Sequence, residues 1–369
     1  MSKVLLVYPP IDAPVPAKST LLGLGYLASV LRNKGHEVKI CDLVDGNETK
    51  ILDWNFNILG ISAMFTAYKH DVRKIISTIK ALNYNLHIVV GGAHASTFPE
   101  EMLGFADTVV VGEGEEVICD IVEKKRKGII VAERIRNLDK LPMPAWDLMM
   151  EDINEINRLS ARSPFLMRRP LAHIITSRGC PNNCTFCAVK AAWGRQWIAR
   201  SAKNVVDEIE HLYGLGFREI HFNDDNCSVN KTRMYEICND ILRRKVDVKI
   251  ACPTGIHIAT LDRDLLWVMK RAGFYRLCFG IETGNQEMQK TIKKNLDLDK
   301  AREVIKNANS LGYWTAATFI TGFPNETPKQ LKDTFEFAKT SGLDFPIYYN
   351  LQIQPGTELW NTTKHIKTS

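Results

Sequence analysis

Three cysteines stand close together in the run Cys180-Pro181-Asn182-Asn183-Cys184-Thr185-Phe186-Cys187. The CxxxCxxC spacing puts three thiolates on one short loop, where they can hold an iron–sulfur cluster. Three thiolates on a four-iron (4Fe–4S) cluster leave one iron without a protein ligand, and an open metal position is where a cofactor or substrate can bind. Zinc is the competing metal, but a structural zinc site takes a fourth ligand nearby. His173, on the preceding strand, reads equally well as a packed residue. The chain has nine cysteines, an odd number. Only these three are tightly clustered, which favours metal ligation in a reducing compartment over disulfides. Cys41, Cys119, Cys227, Cys238, Cys252 and Cys278 are scattered and read mostly as small core residues.

The loop must be carried by a scaffold, and from Leu171 the sequence supplies one. Buried-type strands are expected at Ala172–Thr176, Glu219–Asn223, Val248–Cys252, Arg276–Ile281, Thr315–Ile320 and Phe345–Leu351. Helical runs lie between them at Ala202–Leu215, Lys231–Arg244, Asp262–Ala272, Asp299–Leu311 and Pro328–Ser341. Six β-α repeats suit an incomplete (β/α)6 TIM-type barrel, whose sites form at the carboxyl ends of its strands. The polar residues just past those ends are Asp224-Asp225-Asn226, Thr254, Glu282-Thr283 and Thr321-Gly322. Each is weak alone: Asp225 reads also as a helix cap, and Glu282 as a rim salt bridge.

The first part is α/β as well. Strands Val4–Tyr8, Glu37–Cys41, Ile58–Ser62, Leu86–Val90 and Thr108–Val111 alternate with helical stretches. That pattern gives a doubly wound parallel sheet, with ligands beyond the carboxyl ends of the strands. The informative loops are Pro9–Lys18, Ala63–Tyr68, Gly91–Ser96 and Gly112–Glu116. The expected domains are 1–132, a linker over 133–170 with Leu141-Pro142-Met143-Pro144, the barrel over 171–358 and a short tail over 359–369.

Composition sets outer limits. Apolar residues make up 45% and charged residues 24%, with a net charge of +6. That balance builds globular cores and does not suggest a nucleic-acid binder. Residues 156–206 hold nine Lys or Arg and no Asp or Glu. The run reads either as a solvated basic linker or as a positive lining for an anionic cofactor. Leu21–Leu31 is too short to span a bilayer and no signal peptide is visible, so a cytoplasmic protein without a membrane role is expected.

The cysteine triplet, with aromatic Phe186 before its last member, resembles the radical S-adenosylmethionine (SAM) superfamily. Further matches are Arg178-Gly179-Cys180-Pro181, Phe222-Asn223-Asp224-Asp225-Asn226, Gly280-Ile281-Glu282-Thr283-Gly284, Thr321-Gly322-Phe323-Pro324 and Pro355-Gly356-Thr357. The resemblance implies a 4Fe–4S cluster on Cys180, Cys184 and Cys187, with SAM chelating the open iron and broken there to a 5′-deoxyadenosyl radical. It implies SAM contacts from Phe186, Asp224, Asp225, Glu282 and Gly322, and an external one-electron donor such as a ferredoxin or flavodoxin.

The first half resembles the cobalamin-binding domain that precedes one class of these enzymes. The matching residues are Tyr8-Pro9-Pro10, Gly23-Leu24-Gly25-Tyr26-Leu27-Ala28, Gly35-His36-Glu37-Val38, Gly60-Ile61-Ser62, Gly91-Gly92-Ala93-His94 and Gly112-Glu113-Gly114-Glu115. Cobalamin contacts are implied for Pro10, Ser62, Met64, Phe65, Thr66, Tyr68, Gly91, Gly92, His94, Ser96, Gly112, Glu113 and Gly114. The Asp-x-His-x-x-Gly string of methionine-synthase-type domains does not occur. No histidine of that motif is therefore expected beneath the cobalt, and the resemblance to the radical SAM class implies that the cobalamin is base-off.

Together these features resemble the cobalamin-dependent radical SAM methyltransferases, which pass a methyl group from SAM through methylcobalamin to an unactivated carbon. A short tail after Pro355-Gly356-Thr357 would leave the barrel mouth open for a peptide or protein substrate. The alternatives are a radical cyclase of the same architecture and a non-catalytic cobalamin or redox sensor. Methylthio-transferring relatives carry further cluster cysteines in the front domain, where only Cys41 and Cys119 occur here.

Overall fold

The computed structural model describes residues 1–10, 21–43, 51, 54–64, 66, 69–82, 85–150, 154 and 165–363. Its residues divide into two compact units, Met1–Arg162 and Ser163–Ser369. Phe65 and Tyr68, residues 11–18 of the first loop, most of 151–164 and the last six residues of the tail lie outside the described residues.

In the first unit six strands form one sheet: β1 (Lys3–Tyr8), β2 (Glu37–Asp42), β3 (Ile58–Ser62), β4 (His87–Gly91), β5 (Thr108–Val111) and β6 (Gly128–Val131). Their order is β2-β1-β3-β4-β5-β6, and every pairing is parallel. The run Val4–Val7 is buried throughout, as expected for a strand covered on both faces. The order reverses between β1 and β3, so the crevice rule points to the loops after those two strands. The sequence led to five strands here. The sixth has only four residues, is half-exposed at the sheet edge, and follows the charged run Lys124–Lys127, which masks it.

Residues 141–149 strap the helix Leu22–Asn33. Ser29 Oγ donates to Met143 O (2.6 Å), Ala145 N donates to Gly25 O (3.0 Å), and Arg32 pairs with both oxygens of Asp147. A Cβ on Gly25 would stand 2.8 Å from Met149 Cε, so glycine permits this close approach.

In the second unit the main sheet comprises β7 (Leu171–Ile174), β10 (Glu219–Phe222), β11 (Lys249–Ile256), β12 (Phe274–Glu282), β13 (Trp314–Thr321) and β14 (Phe345–Asn350). They follow one another in chain order, all parallel, with β7 and β14 at the two edges. This is the incomplete barrel. Its helices begin where side chains cap them: Ser201, Asn230 and Asp262 each accept from a main-chain N–H three residues on. Thr327 and Gln330 form a reciprocal capping box. Two more strands, β8 (Ser177–Arg178) and β9 (Ile198–Ala199), pair antiparallel and close the base of the excursion that carries the cysteines.

His173 is held inside the barrel, its ring edge-on to His221 with centroids 5.4 Å apart. Burial keeps it neutral, with its pKa pulled down to about 3. Cys227, Cys238, Cys252 and Cys278 are buried. No helix among the described residues is long and apolar enough to cross a membrane.

Candidate functional site

The cysteine loop is anchored before it begins. Asp224, just past β10, accepts from Thr176 N (2.8 Å), Thr176 Oγ1 (2.6 Å) and Ser177 Oγ. Arg233 donates to Thr176 O from the other side (2.7 Å). Gly179 then turns the chain with φ +86°, and its N–H reaches Asp225 Oδ2 at 2.8 Å. Beyond the turn, Thr185 N donates to Ile292 O (3.0 Å), and Leu359 N donates to Thr185 O (2.9 Å). Phe186 packs on Phe323, with ring centroids 5.7 Å apart, beside Met288 and Ile292.

All three cysteines line one cavity of about 320 Å³ at the carboxyl ends of the strands, together with Phe186, Asp225, Asn226, His257, Glu282 and Lys294. Cys184 and Cys187 also border a second hollow of about 340 Å³ beside Lys190 and the Gly356-Thr357-Glu358 turn. Among the described residues no three His, Cys, Asp or Glu side chains converge closely enough for a single metal ion. A multi-iron cluster asks for no such convergence, because each thiolate binds a different iron. Burial pushes the Cys184 thiol up to about 11, against the nearby charge of Lys294, and raises Cys187 as well. The thiolate forms therefore need a metal's positive charge to be stable here. The donor set fits an iron–sulfur cluster.

Glu282 is aimed into the cavity by strain. It has φ +69°, and the β12–β13 register shifts between Gly280 and Glu282. A left-handed residue other than glycine costs on the order of 1–3 kcal/mol and persists where the surroundings hold it; the bulge re-aims the side chain. Its carboxylate accepts from Thr318 Oγ1 (3.3 Å) and stands 3.4 Å from Lys294 Nζ. A Cβ on Gly280 would lie 2.6 Å from Glu282 Oε1 and 2.9 Å from Lys294 Nζ, so that glycine makes room for the pair.

The two aspartates have different surroundings. Asp225 lines the cavity. Asp224 is buried with its oxygens bonded to Thr176 and Ser177, where it steadies the loop, and it is not among the residues that line the cavity. Gly322 is exposed past β13 with φ +86°, donates to Glu326 Oε2 (2.8 Å), and is not part of the cavity wall. Lys294 and His257 were not singled out from sequence. Lys294 belongs to a Lys290–Lys294 stretch that reads as a solvated face. His257 lies just past β11, and burial together with Lys294 lowers its pKa to about 4. Its Nε2 is buried with no hydrogen-bond partner among the described residues.

In the first unit, the carboxyl ends of β1, β3, β4 and β5 present Pro10, Ser62, Gly91 and Gly112. Gly92 has φ +112°, and a Cβ there would stand 2.7 Å from Ala63 O, so the loops after β3 and β4 touch through main chain. Gly112, with φ +92°, donates to Ser96 Oγ (3.0 Å). His94 is buried, with Nδ1 3.2 Å from Thr66 Oγ1 and Nε2 3.9 Å from Glu101 Oε2. Burial lowers its pKa. Met64 is 44% exposed. Glu113 accepts from Ile135 N (2.7 Å) and pairs with Arg134, and a Cβ on Gly114 would meet Leu27 at 3.2 Å. The glycine-lined edge and the exposed Met64 leave main chain and an apolar side chain open to a corrinoid, which fits cobalamin.

Sequence profiles identify both halves. The Radical SAM superfamily profile matches residues 174–338, and the B12 binding domain profile matches residues 10–122. An uncharacterized methyltransferase of Pyrococcus horikoshii is 30% identical, covering 97% of this chain and 82% of its own length. The cytidylyl-2-hydroxyethylphosphonate methyltransferase of Streptomyces wedmorensis is 28% identical, covering 97% and 80%. A relative with another reaction, the anaerobic magnesium-protoporphyrin IX monomethyl ester cyclase of Rubrivivax gelatinosus, is 26% identical, covering 86% and 61%. Among solved structures, the radical SAM methyltransferase TsrM of Kitasatospora setae superposes with a TM-score of 0.80 at 19% identity, over 100% of this chain and 78% of that one. The chain belongs to the cobalamin-dependent radical SAM enzymes of the methyltransferase class.

Proposed function

We propose that this enzyme transfers a methyl group from SAM, by way of cobalamin, to an unactivated carbon of a peptide or protein side chain. The observation that carries the reading is the single cavity in which three cysteine thiols meet Asp225, Glu282 and Lys294. When bound, the cluster supplies an electron to split SAM and cobalamin supplies a methyl carrier. Cys180, Cys184 and Cys187 would hold the cluster. Asp225 and Glu282 would accept from the ammonium and ribose hydroxyls of SAM, and Phe186 would give its nucleoside an apolar wall. Lys294, a half-buried cation of the cavity wall, would complement a carboxylate. Pro10, Ser62, Met64, Thr66, Gly91, Gly92, Ser96, Gly112 and Gly114 would border the corrinoid, with Glu113 and the buried His94 bracing their loops. Reduction would come from an external one-electron protein, and the cytoplasm would supply it.

A peptide substrate draws support from β14. Its six residues are exposed, it forms an edge of the sheet, and its Ile347 and Tyr349 line the cysteine cavity. An extended peptide adding to that edge would gain main-chain hydrogen bonds and bring alternate side chains toward the cavity.

The test is SAM carrying a trideuterated methyl group, with reconstituted enzyme, reductant and candidate peptides. A product heavier by one trideuteromethyl group is expected, together with 5′-deoxyadenosine. The cyclase reading has the Rubrivivax relative in its favour. It predicts 5′-deoxyadenosine with no label in the product.

A second expectation concerns cobalt. The described His94 is enclosed by Thr66, Phe98 and Glu101, away from an open face. Electron paramagnetic resonance of cobalamin-loaded enzyme in the Co(II) state should therefore lack the triplet splitting that an axial nitrogen produces. A triplet that disappears in His94→Ala would show the histidine on cobalt.

A further inference from the structure

Asn226 follows the two aspartates past β10 and is buried at 4% exposure. Its Nδ2 donates to Cys180 Sγ at 3.7 Å, a normal reach for a sulfur acceptor. The orientation of the amide follows from its other end. Oδ1 accepts the main-chain N–H of Ser228 at 3.3 Å, two residues on, in an Asx-type turn. A flipped amide would set its NH2 against that N–H, donor facing donor, so the network assigns nitrogen to the sulfur side. The main chain of Asn226 is fixed independently: its carbonyl accepts from Trp197 Nε1 (2.8 Å) and Ser177 Oγ (3.3 Å). The amide is thus delivered to one cysteine of the triplet by contacts that do not depend on a ligand.

Hydrogen bonds to the sulfurs of an iron–sulfur cluster are a main control of its potential. An N–H aimed at a ligating sulfur stabilises the more negative, reduced cluster. We propose that Asn226 raises the reduction potential of the cluster by donating to its Cys180 ligand. The proposal rests on the cluster reading above. It makes Asn226 a tuning residue, not one that touches substrate.

The experiment is a redox titration of the reconstituted, SAM-free enzyme, following the reduced cluster by electron paramagnetic resonance. Asn226→Leu removes the donor while keeping the branched shape of the side chain. Asn226→Asp keeps an oxygen for the Ser228 N–H, and so keeps the turn, but sets a negative oxygen beside the sulfur. At the wild-type midpoint potential the reduced-to-oxidised ratio is expected to fall about tenfold in Asn226→Leu, which is ~59 mV for a one-electron couple. Asn226→Asp should fall further. A purely structural role for the turn predicts the opposite ranking, with Asn226→Asp at the wild-type potential, and that result overturns the proposal. If Asn226→Leu loses iron, Asn226→Asp decides alone. Loss of iron in both would make Asn226 a folding residue and also overturn it. Wild type without a 4Fe–4S signal would overturn the cluster reading itself.

Discussion

Replacing Cys180, Cys184 and Cys187 together with alanine is expected to take iron from about four per chain to background and to abolish 5′-deoxyadenosine formation from SAM. The three thiols share one cavity wall, and burial keeps Cys184 and Cys187 protonated until metal arrives. The other six cysteines do not cluster on one loop. Cys227 and Cys252 are buried with their sulfurs 3.9 Å apart, Cys238 is buried on the helix Lys231–Arg244, and Cys41 and Cys119 belong to the first unit. Cys278 lines the same cavity but is a single thiol on β12. Single alanine variants at these six positions should keep wild-type iron content, measured by iron analysis and the absorbance of the oxidised cluster. Iron at the wild-type level in the triple variant would dismiss the assignment. The triple variant should stay folded, because the loop is tied by Asp224, Arg233 and the β8–β9 pair and not by its sulfurs.

The parts of the site that lie within one local run were legible in the sequence. The cysteine spacing is set inside a single loop, and Glu282 follows a strand long and apolar enough to be read directly. The barrel helices were legible for the same reason: Asp262 and Thr327 cap them at the residues where the apolar spacing begins. What failed was the direction of neighbouring side chains. Asp224 and Asp225 are adjacent, yet one turns to Thr176 and the other to the cavity, a difference created by which loop packs behind them. Lys294 was hidden for a different reason. Its charge reads as surface until the fold brings the turn after Gln286–Thr291 over Glu282. Gly322 carries a family pattern, and here its N–H is held by Glu326 outside the cavity wall. No periodicity reports such distant packing, because it depends on residues tens of positions apart.

Gly255 packs the end of β11 against the main chain of Asp224, the residue that anchors the cysteine loop. Gly255 has φ +63°, and a Cβ there would stand 1.7 Å from the main-chain oxygen of Asp224 and 2.7 Å from its carbonyl carbon. Its own carbonyl accepts from Cys227 N at 2.8 Å, which locks the end of β11 to the stretch after β10. Neither neighbour can yield cheaply. The clash is with backbone, and Asp224 is fixed by three hydrogen bonds to the base of the cysteine loop. Gly255→Ala therefore combines left-handed strain with displacement of that base, on the order of 3 kcal/mol or more. For a unit of this size that lowers the melting temperature by roughly 6–12 °C. Because the displaced residues carry Thr176, Ser177 and Asp225, the variant should also load cluster poorly, below half the wild-type iron under identical reconstitution. Gly216→Ala is the control: it too has positive φ, +99°, but a Cβ there meets nothing within 4 Å. Its cost should be the backbone strain alone, on the order of 1 kcal/mol, with iron content unchanged. Equal effects from the two substitutions would show that strain, and not the contact with Asp224, governs this end of β11. A selective loss in Gly255→Ala would establish that the cluster loop is positioned from two strands away.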